Sequence, residues 1–110
     1  MASVVLGNFI LAVAVVLKSL LNIYFWIVLI GALLSWVSPD PRNPIVRFIY
    51  AMTEPALDQI RRRLPFVHAG GIDFSPLVLM LGIQFVQIFI VQSLYQLAFQ
   101  VSATRLGLFG

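Results

Sequence analysis

Residues Asp40–Pro65, DPRNPIVRFIYAMTEPALDQIRRRLP, decide the fold because they form the one strongly charged stretch of an otherwise apolar chain. This stretch carries five of the seven basic residues and three of the four acidic residues. The sequence on either side is long enough and apolar enough to cross a bilayer. We therefore predict an all-α membrane protein, in which two transmembrane helices position one charged loop at a membrane face.

The composition of the chain favours lipid as its surroundings. Its 110 residues are 61% hydrophobic and 10% charged, whereas soluble domains are about half apolar and about a quarter charged. The net charge of +3 is concentrated in the loop, so anionic lipid headgroups are a better counter-charge than nucleic acid. With no cysteine and a single histidine, His68, the chain is predicted to have no disulfide, metal or cofactor site.

We predict a single membrane unit over residues 1–110, with span one at about residues 4–37, the loop at 38–75 and span two at about 76–100. Span one is longer than the roughly 30 Å hydrocarbon core requires. Its Ser19–Val37 portion is the firmer span, and Lys18 is predicted to reach the far headgroups. Residues 4–17 continue the helix beyond the bilayer, tilt, or pack on a partner, and the sequence leaves these alternatives open.

Proline and cap residues predict two short amphipathic helices in the loop. Asn43 and Pro44 form a pair typical of an N-cap and a first helical residue. Thr53, Glu54 and Pro55 repeat that pattern, which predicts a break after Met52 and a second helix to Leu64. In span two, Ser75 followed by Pro76 predicts the helix start, with Asp73 as an alternative cap.

The charges of the loop suggest two roles. Bases interleaved with acids predict a folded loop with an ion-pair set drawn from Asp40, Arg42, Arg47 and Glu54. Arg61, Arg62 and Arg63 lie in a last helical turn and are predicted to contact lipid headgroups, unless they serve only as a topology signal. The excess of basic residues in the loop places it in the cytoplasm and both termini outside.

Small and amide side chains in the spans predict helix contacts. Gly31 and Ser35 lie four residues apart in span one, which allows two helices to approach closely. Gln84 and Gln87 are predicted to share a face, and a second row consists of Gln92, Gln96 and Gln100. Amides in hydrocarbon need hydrogen-bond partners, so we expect one row to contact the first helix and the other to contact another chain. For Gln96 and Gln100, the alternative is that they reach the far headgroups.

The central sequence resembles the YggT family of small bacterial membrane proteins, called YlmG in Gram-positive bacteria. The matching residues are Leu34-Ser35-Trp36, Asp40-Pro41-Arg42-Asn43-Pro44, Arg47, Thr53-Glu54-Pro55, Arg61 to Pro65, and Gly71-Ile72-Asp73-Phe74-Ser75-Pro76. The resemblance implies two spans around a signature loop. Some members carry this unit twice, and this chain carries it once, which suggests a homodimer that imitates the doubled form.

The resemblance implies no enzymatic activity; it associates the family with cell division and shape, with osmotic stress and, in plastids, with nucleoid arrangement and cytochrome assembly. Our leading hypothesis is a non-enzymatic protein of the bacterial inner membrane that docks partners at the cytoplasmic face. The alternative is a small oligomeric channel or transporter accessory subunit. Expected partners are membrane lipids, a second copy of the chain and another membrane or division protein, with no direct nucleic-acid contact. The expected docking residues are Asp40, Pro41, Arg42, Asn43, Pro44, Arg47, Thr53, Glu54, Pro55, Gly71, Asp73, Ser75 and Pro76.

Overall fold

Helices make up nearly all of the computed structural model, which describes residues 2–69 and 72–105. Helix α1 spans Ala2–Val37 and helix α2 spans Pro44–Arg63. A single 3₁₀ turn, Pro65–Val67, leads into strand β1, His68–Ala69, which pairs antiparallel with strand β2, Ile72–Asp73. Helix α3, Ser75–Val86, continues through a π turn, Gln87–Val91, into helix α4, Gln92–Arg105.

Two helical stretches, Ala2–Val37 and Ser75–Ser102, are long and apolar enough to cross a membrane. Their mean hydropathies are 2.3 and 2.1, and most of their large apolar side chains are exposed to the surroundings. An apolar surface of this kind is compatible with a membrane protein, in which lipid replaces a buried core as the apolar phase. The two predicted spans correspond to these stretches.

The chain divides into two compact units. One comprises Met1–Asn22 and Gln84–Gly110, and the other comprises Ile23–Ile83. In the first unit, Gly7 is buried and faces α4 so closely that an added Cβ would lie 3.2 Å from the Ala98 carbonyl oxygen and 2.5 Å from the Ser102 hydroxyl. The missing side chain at Gly7 therefore sets how closely α1 and α4 pack.

The second unit contains the end of α1, all of α2, the two short strands and the start of α3. Gly31 of α1 packs on α2, where its added Cβ would lie 3.2 Å from Ile49 Cγ2 and 3.6 Å from Thr53 Oγ1. The Tyr24 hydroxyl donates a hydrogen bond of 3.0 Å to the Met52 carbonyl oxygen. These contacts fix α2 against the C-terminal half of α1.

The start of α2 confirms one part of the predicted pattern. The Asn43 side-chain oxygen accepts a hydrogen bond of 2.9 Å from the Ile45 amide, and Pro44 is the first helical residue. Ahead of it, the Asp40 carboxylate accepts the Arg42 amide at 2.9 Å and makes a compact Asx turn. The Arg61–Arg63 triplet occupies the last turn of α2, where the helix dipole favours cations.

The predicted break after Met52 is wrong, because α2 continues through Pro55 as one helix of 20 residues. Thr53 does not cap a new helix; it is buried, and its hydroxyl donates to the Ile49 carbonyl oxygen at 3.0 Å. Proline inside a helix removes one backbone hydrogen bond and crowds the carbonyl four residues before it, at a cost of about 3 kcal/mol. Here Thr53, Gly31 and Tyr24 keep α2 packed against α1 just ahead of Pro55, so tertiary contacts override the proline signal.

We predict that Gly7→Leu lowers the free energy of unfolding by about 1–3 kcal/mol, because the new side chain overlaps backbone and side-chain atoms of α4. Gly82→Leu is the matched control, since no atom of the described residues lies within 4 Å of its added Cβ, its own helix backbone and chain neighbours aside. The control is expected to be neutral or stabilising, because glycine is a poor helix former. Thermal unfolding in detergent, followed by circular dichroism, compares the two. Equal losses in both variants would contradict close packing at Gly7.

Candidate functional site

The most organised polar site in the second unit is a cluster around Arg61, near the end of α2. Its guanidinium donates to Asp73 Oδ2 from Nε at 3.0 Å and from Nη2 at 2.6 Å. Its Nη1 donates to Glu54 Oε2 at 3.0 Å and to Asp58 Oδ1 at 3.1 Å. One guanidinium thus binds three carboxylates, and the cluster carries an excess of negative charge.

Asp73 connects this cluster to the start of α3. Its Oδ1 accepts the Ser75 backbone amide at 3.0 Å and the Ser75 hydroxyl at 2.7 Å, while Oδ2 accepts Arg61. Ser75 is fully buried, so its polar atoms need these bonds. Of the two predicted caps, Asp73 is therefore the one whose carboxylate satisfies the first turn, and Ser75 is the residue that it satisfies.

The electrostatics of the pair follow from this geometry. Burial alone would raise the pKa of Asp73, but the hydrogen bonds from Ser75 and Arg61 and the positive charge of Arg61 outweigh it and lower the pKa. Burial would likewise lower the pKa of Arg61, but its bonds to Asp73 and Glu54 raise it. Both groups stay charged at neutral pH, so the cluster is an ionic link.

A groove of 760 Å³ lies beside this cluster. Its wall is mostly apolar and comes from the end of α1, from α2 and from the start of α3, whereas Glu54, Arg61 and Asp73 form its charged part. Trp36 also lines the groove, with 83% of its surface exposed. The other lining residues are Val28, Leu29, Gly31, Ala32, Leu33, Ser35, Tyr50, Thr53, Leu57, Phe74, Pro76, Leu77 and Met80.

The ion pairs in the structure differ from the predicted set, which was drawn from Asp40, Arg42, Arg47 and Glu54. Asp40 and Arg42 form an exposed pair at 3.5 Å, and Glu54 binds Arg61 instead. Arg47 is exposed and has no ion-pair partner among residues 2–69 and 72–105. The reason is helical geometry, because Glu54 and Arg61 lie about two turns apart on one face of the unbroken α2.

The three consecutive arginines, Arg61 to Arg63, have different environments. Arg61 is bound within the protein, which corrects its assignment to lipid contact, whereas Arg62 and Arg63 are exposed and lack ion pairs in the described part of the chain. The sequence-based ion-pair set omits Asp58, although its i,i+3 spacing to Arg61 is a recognised signal for a helical ion pair. Gly71, one of the signature residues, lies outside the described residues.

The residues expected at helix contacts have different partners. Gly31 contacts α2, and the Ser35 hydroxyl donates to the Gly31 carbonyl oxygen at 3.1 Å within α1. In the other unit, the Gln87 amide donates to the Lys18 carbonyl oxygen of α1 at 3.4 Å, whereas Gln84 is exposed. Gln84 and Gln87 therefore do not share a role.

The site offers ionic and apolar contacts and little chemistry. Among the described residues, no group of three His, Cys, Asp or Glu side chains is placed to hold a metal ion. The Ser75 hydroxyl is fully buried and donates to Asp73. Asp73 and Glu54 are both engaged by Arg61. The arrangement can bind an apolar segment and complement a cation beside it.

We predict that Asp73→Asn destabilises the protein at pH 7 by roughly 2 kcal/mol, because it removes a charged acceptor from Arg61 and Ser75. A lowered pKa in the folded state stabilises above the unfolded value, and this stability is lost as the pH falls through the folded pKa. The parent chain should therefore lose stability below about pH 4, and Asp73→Asn should lose less on acidification.

Thermal unfolding at pH 7 and pH 3 in detergent measures this difference. Asp40→Asn is the matched control, because its pair with Arg42 is exposed, and exposed pairs contribute little. It should resemble the parent chain at both pH values. An unchanged loss of stability in acid for Asp73→Asn would show that another group governs it.

Comparison with known proteins gives the family. The model of the CCB3/YggT family matches residues 10–94. A Vibrio alginolyticus protein, "Uncharacterized protein in proC 3'region", is 45% identical over 69 residues, which cover 63% of this chain and 36% of that protein. "Uncharacterized protein YggT" of Escherichia coli (strain K12) is 43% identical over 67 residues, covering 61% and 34%.

A third relative, "Uncharacterized protein" of Haemophilus influenzae, is 41% identical over 85 residues, covering 77% of this chain and 45% of the relative. The chain thus matches less than half the length of each of these relatives. No solved structure matches it. The family model covers most of the chain and confirms the resemblance seen in the signature residues, so the protein belongs to the CCB3/YggT family.

Proposed function

We propose that the chain is a non-enzymatic integral protein of the bacterial cytoplasmic membrane that docks a partner protein in the groove beside Arg61. The observation that carries the proposal is the groove itself, which has a mostly apolar wall, a volume of 760 Å³ and an ionic cluster on one side. An apolar segment of the partner would fill the groove and pack against its apolar wall. A basic residue on that segment would meet the excess of carboxylates.

The charge distribution supports a cytoplasmic position for this site. Helix α2 and its flanking turn hold the basic residues Arg42, Arg47, Arg62 and Arg63, all exposed, in addition to Arg61. The positive-inside rule favours the cytoplasm for this segment and the outside for both termini. Arg62 and Arg63 would contact anionic headgroups, each contributing about 1 kcal/mol. We connect this docking role to cell division and shape or to envelope stress.

The ionic link between α2 and the start of α3 supports docking rather than catalysis. Arg61 and Asp73 connect the two helices that form much of the groove. A groove with fixed walls needs little ordering when a partner binds, which leaves more of the contact energy for affinity. Catalysis would need a free acid, base or nucleophile in the groove. The two carboxylates that line the groove, Glu54 and Asp73, are both bound to Arg61.

We expect a photoreactive residue in place of Trp36 to crosslink to a partner protein in cells, because Trp36 lines the groove and is 83% exposed. Trp26 is the matched control: it is a second exposed tryptophan of α1, 54% exposed, that does not line the groove. Mass spectrometry of the adducts would identify the partner. A third probe at Arg47 would test whether the docking surface extends along α2.

The docking proposal requires the same foreign protein to be recovered repeatedly from position 36 and not from position 26. Trp36→Ala should then lower co-purification of that protein, and Trp26→Ala should not. Lipid adducts alone at position 36 would contradict docking and would mark the groove as lipid-facing. Equal recovery from both positions would show that the groove has no special role.

A second candidate function is a small oligomeric channel or an accessory subunit of a transporter. It is favoured by the exposed amides of Gln84, Gln92 and Gln96 on the second apolar helix, since polar side chains of this kind can line an aqueous path. Ion flux through liposomes that contain only this protein tests it. Absence of flux at a protein density where oligomers form would exclude an autonomous channel.

A further inference from the structure

Three glutamines of the first compact unit lie exposed on an apolar helix. For Gln84, Gln92 and Gln96, no hydrogen bond joins the side chain to any residue in the described part of the chain. Gln87 differs, because its amide already contacts α1. An amide left unpaired in hydrocarbon costs several kcal/mol. We therefore expect these three side chains to form hydrogen bonds with a partner outside the described part of the chain.

The π turn at Gln87–Val91 brings the three glutamines into one row. In an uninterrupted α-helix, Gln92 would lie about 80° around the axis from Gln84. A π turn takes up one additional residue, so the interval counts as about seven residues and the offset falls to about 20°. Gln96 follows four residues later and lies within about 20° of Gln84 on the other side.

The neighbouring face of the helix has a different character. Phe85 and Phe89 are exposed and stack on each other, with ring centroids 5.8 Å apart and planes 5° apart. They mark an aromatic face that needs no polar partner, because lipid can cover it. The three glutamines therefore stand out as polar positions on this part of the helix, with the exposed Ile88 between Gln84 and Gln92.

The depth of Gln84 and Gln92 along the span argues against headgroups as their partner. Gln84 and Gln92 both fall in the middle half of Ser75–Ser102. At 1.5 Å per residue they lie within about 10 Å of its centre, inside a hydrocarbon core of about 30 Å. Their amides would have to meet another polar group at the same depth, and a protein helix supplies one.

A second copy of this chain fits the row by its chemistry. Each glutamine amide is both a donor and an acceptor, so a row of amides complements itself when two copies face each other around a twofold axis. Interhelical amide bonds are among the forces that associate helices within a bilayer. Every copy carries the same row at the same depth, whereas a foreign helix would need matching amides.

We infer that Gln84, Gln92 and Gln96 form the contact surface of a homodimer within the membrane, and that the π turn aligns them for this purpose. The inference rests on the proposed membrane location, and it turns the general expectation of a dimer into a defined helix face. It does not depend on docking in the groove, because the row and the groove belong to different units.

Disulfide mapping tests the surface directly, because the chain contains no cysteine. Single variants Gln84→Cys and Gln92→Cys would be reconstituted in phosphatidylcholine vesicles and oxidised with copper phenanthroline. Phe85→Cys and Phe89→Cys are the controls on the adjacent aromatic face. We expect covalent dimers from positions 84 and 92 and mainly monomer from positions 85 and 89. The opposite pattern, or monomer from all four, overturns the inference.

Two further readouts separate the possible failures. Extraction of the vesicles with alkaline carbonate would release a protein that is not inserted, which would overturn both the membrane location and the dimer surface. An inserted protein that stays monomeric overturns the dimer alone. Fast labelling of the thiol introduced at position 84 or 92 by a charged, water-soluble maleimide would show an aqueous path, which overturns the dry contact and favours the channel.

The energetic test replaces the amides and leaves the helix unchanged in length. The double variant Gln84→Leu with Gln92→Leu should raise the monomer–dimer Kd, measured by energy transfer between labelled copies in vesicles, by about tenfold or more. Phe85→Leu with Phe89→Leu, on the neighbouring face, should leave the Kd unchanged. An unchanged Kd in the glutamine variant, with helicity retained, would show that the amides do not hold the copies together.

Discussion

The ionic contact between Arg61 and Asp73 is the constraint on which the second unit depends. It joins the last turn of α2 to Asp73 of strand β2, just before α3 begins, with a closest distance of 2.6 Å. Side chains of this pair are about one-quarter exposed, at 29% and 27%, so water screens the contact less than it would a surface pair. Through Ser75, the same carboxylate also satisfies the buried start of α3.

This contact explains why the segment between the two apolar helices folds although it is short. Helix α2 alone would be marginal in water, since isolated helices of modest length lack a packed face. In the structure one side of α2 packs on α1 through Gly31 and Tyr24, and Arg61 at its end binds Asp73 of strand β2. The groove is the space that remains among these three helices, so its walls are as fixed as the contacts that define it.

The sequence was sufficient for features that depend on local rules. Apolar length predicted the two long helices, and the pair Asn43-Pro44 predicted the start of α2. It failed where distant contacts decide. Pro55 looked like a helix break until Thr53, Tyr24 and Gly31 supplied tertiary support beside it. Arg61 looked like a lipid anchor because Glu54 shares its helix only when α2 is unbroken, and Asp73, 12 residues away, reaches it only through the tertiary fold.

The π turn in the second apolar helix has a consequence for how such a protein can change over evolution. A π turn behaves as a single inserted residue that the helix has absorbed in place. The insertion rotates everything after it by about 100° relative to everything before it, without breaking the helix. One codon gained or lost at this point would therefore rotate all the side chains after the π turn together, relative to those before it. The surface presented to neighbours in the bilayer could diverge among relatives while the signature segment stayed the same.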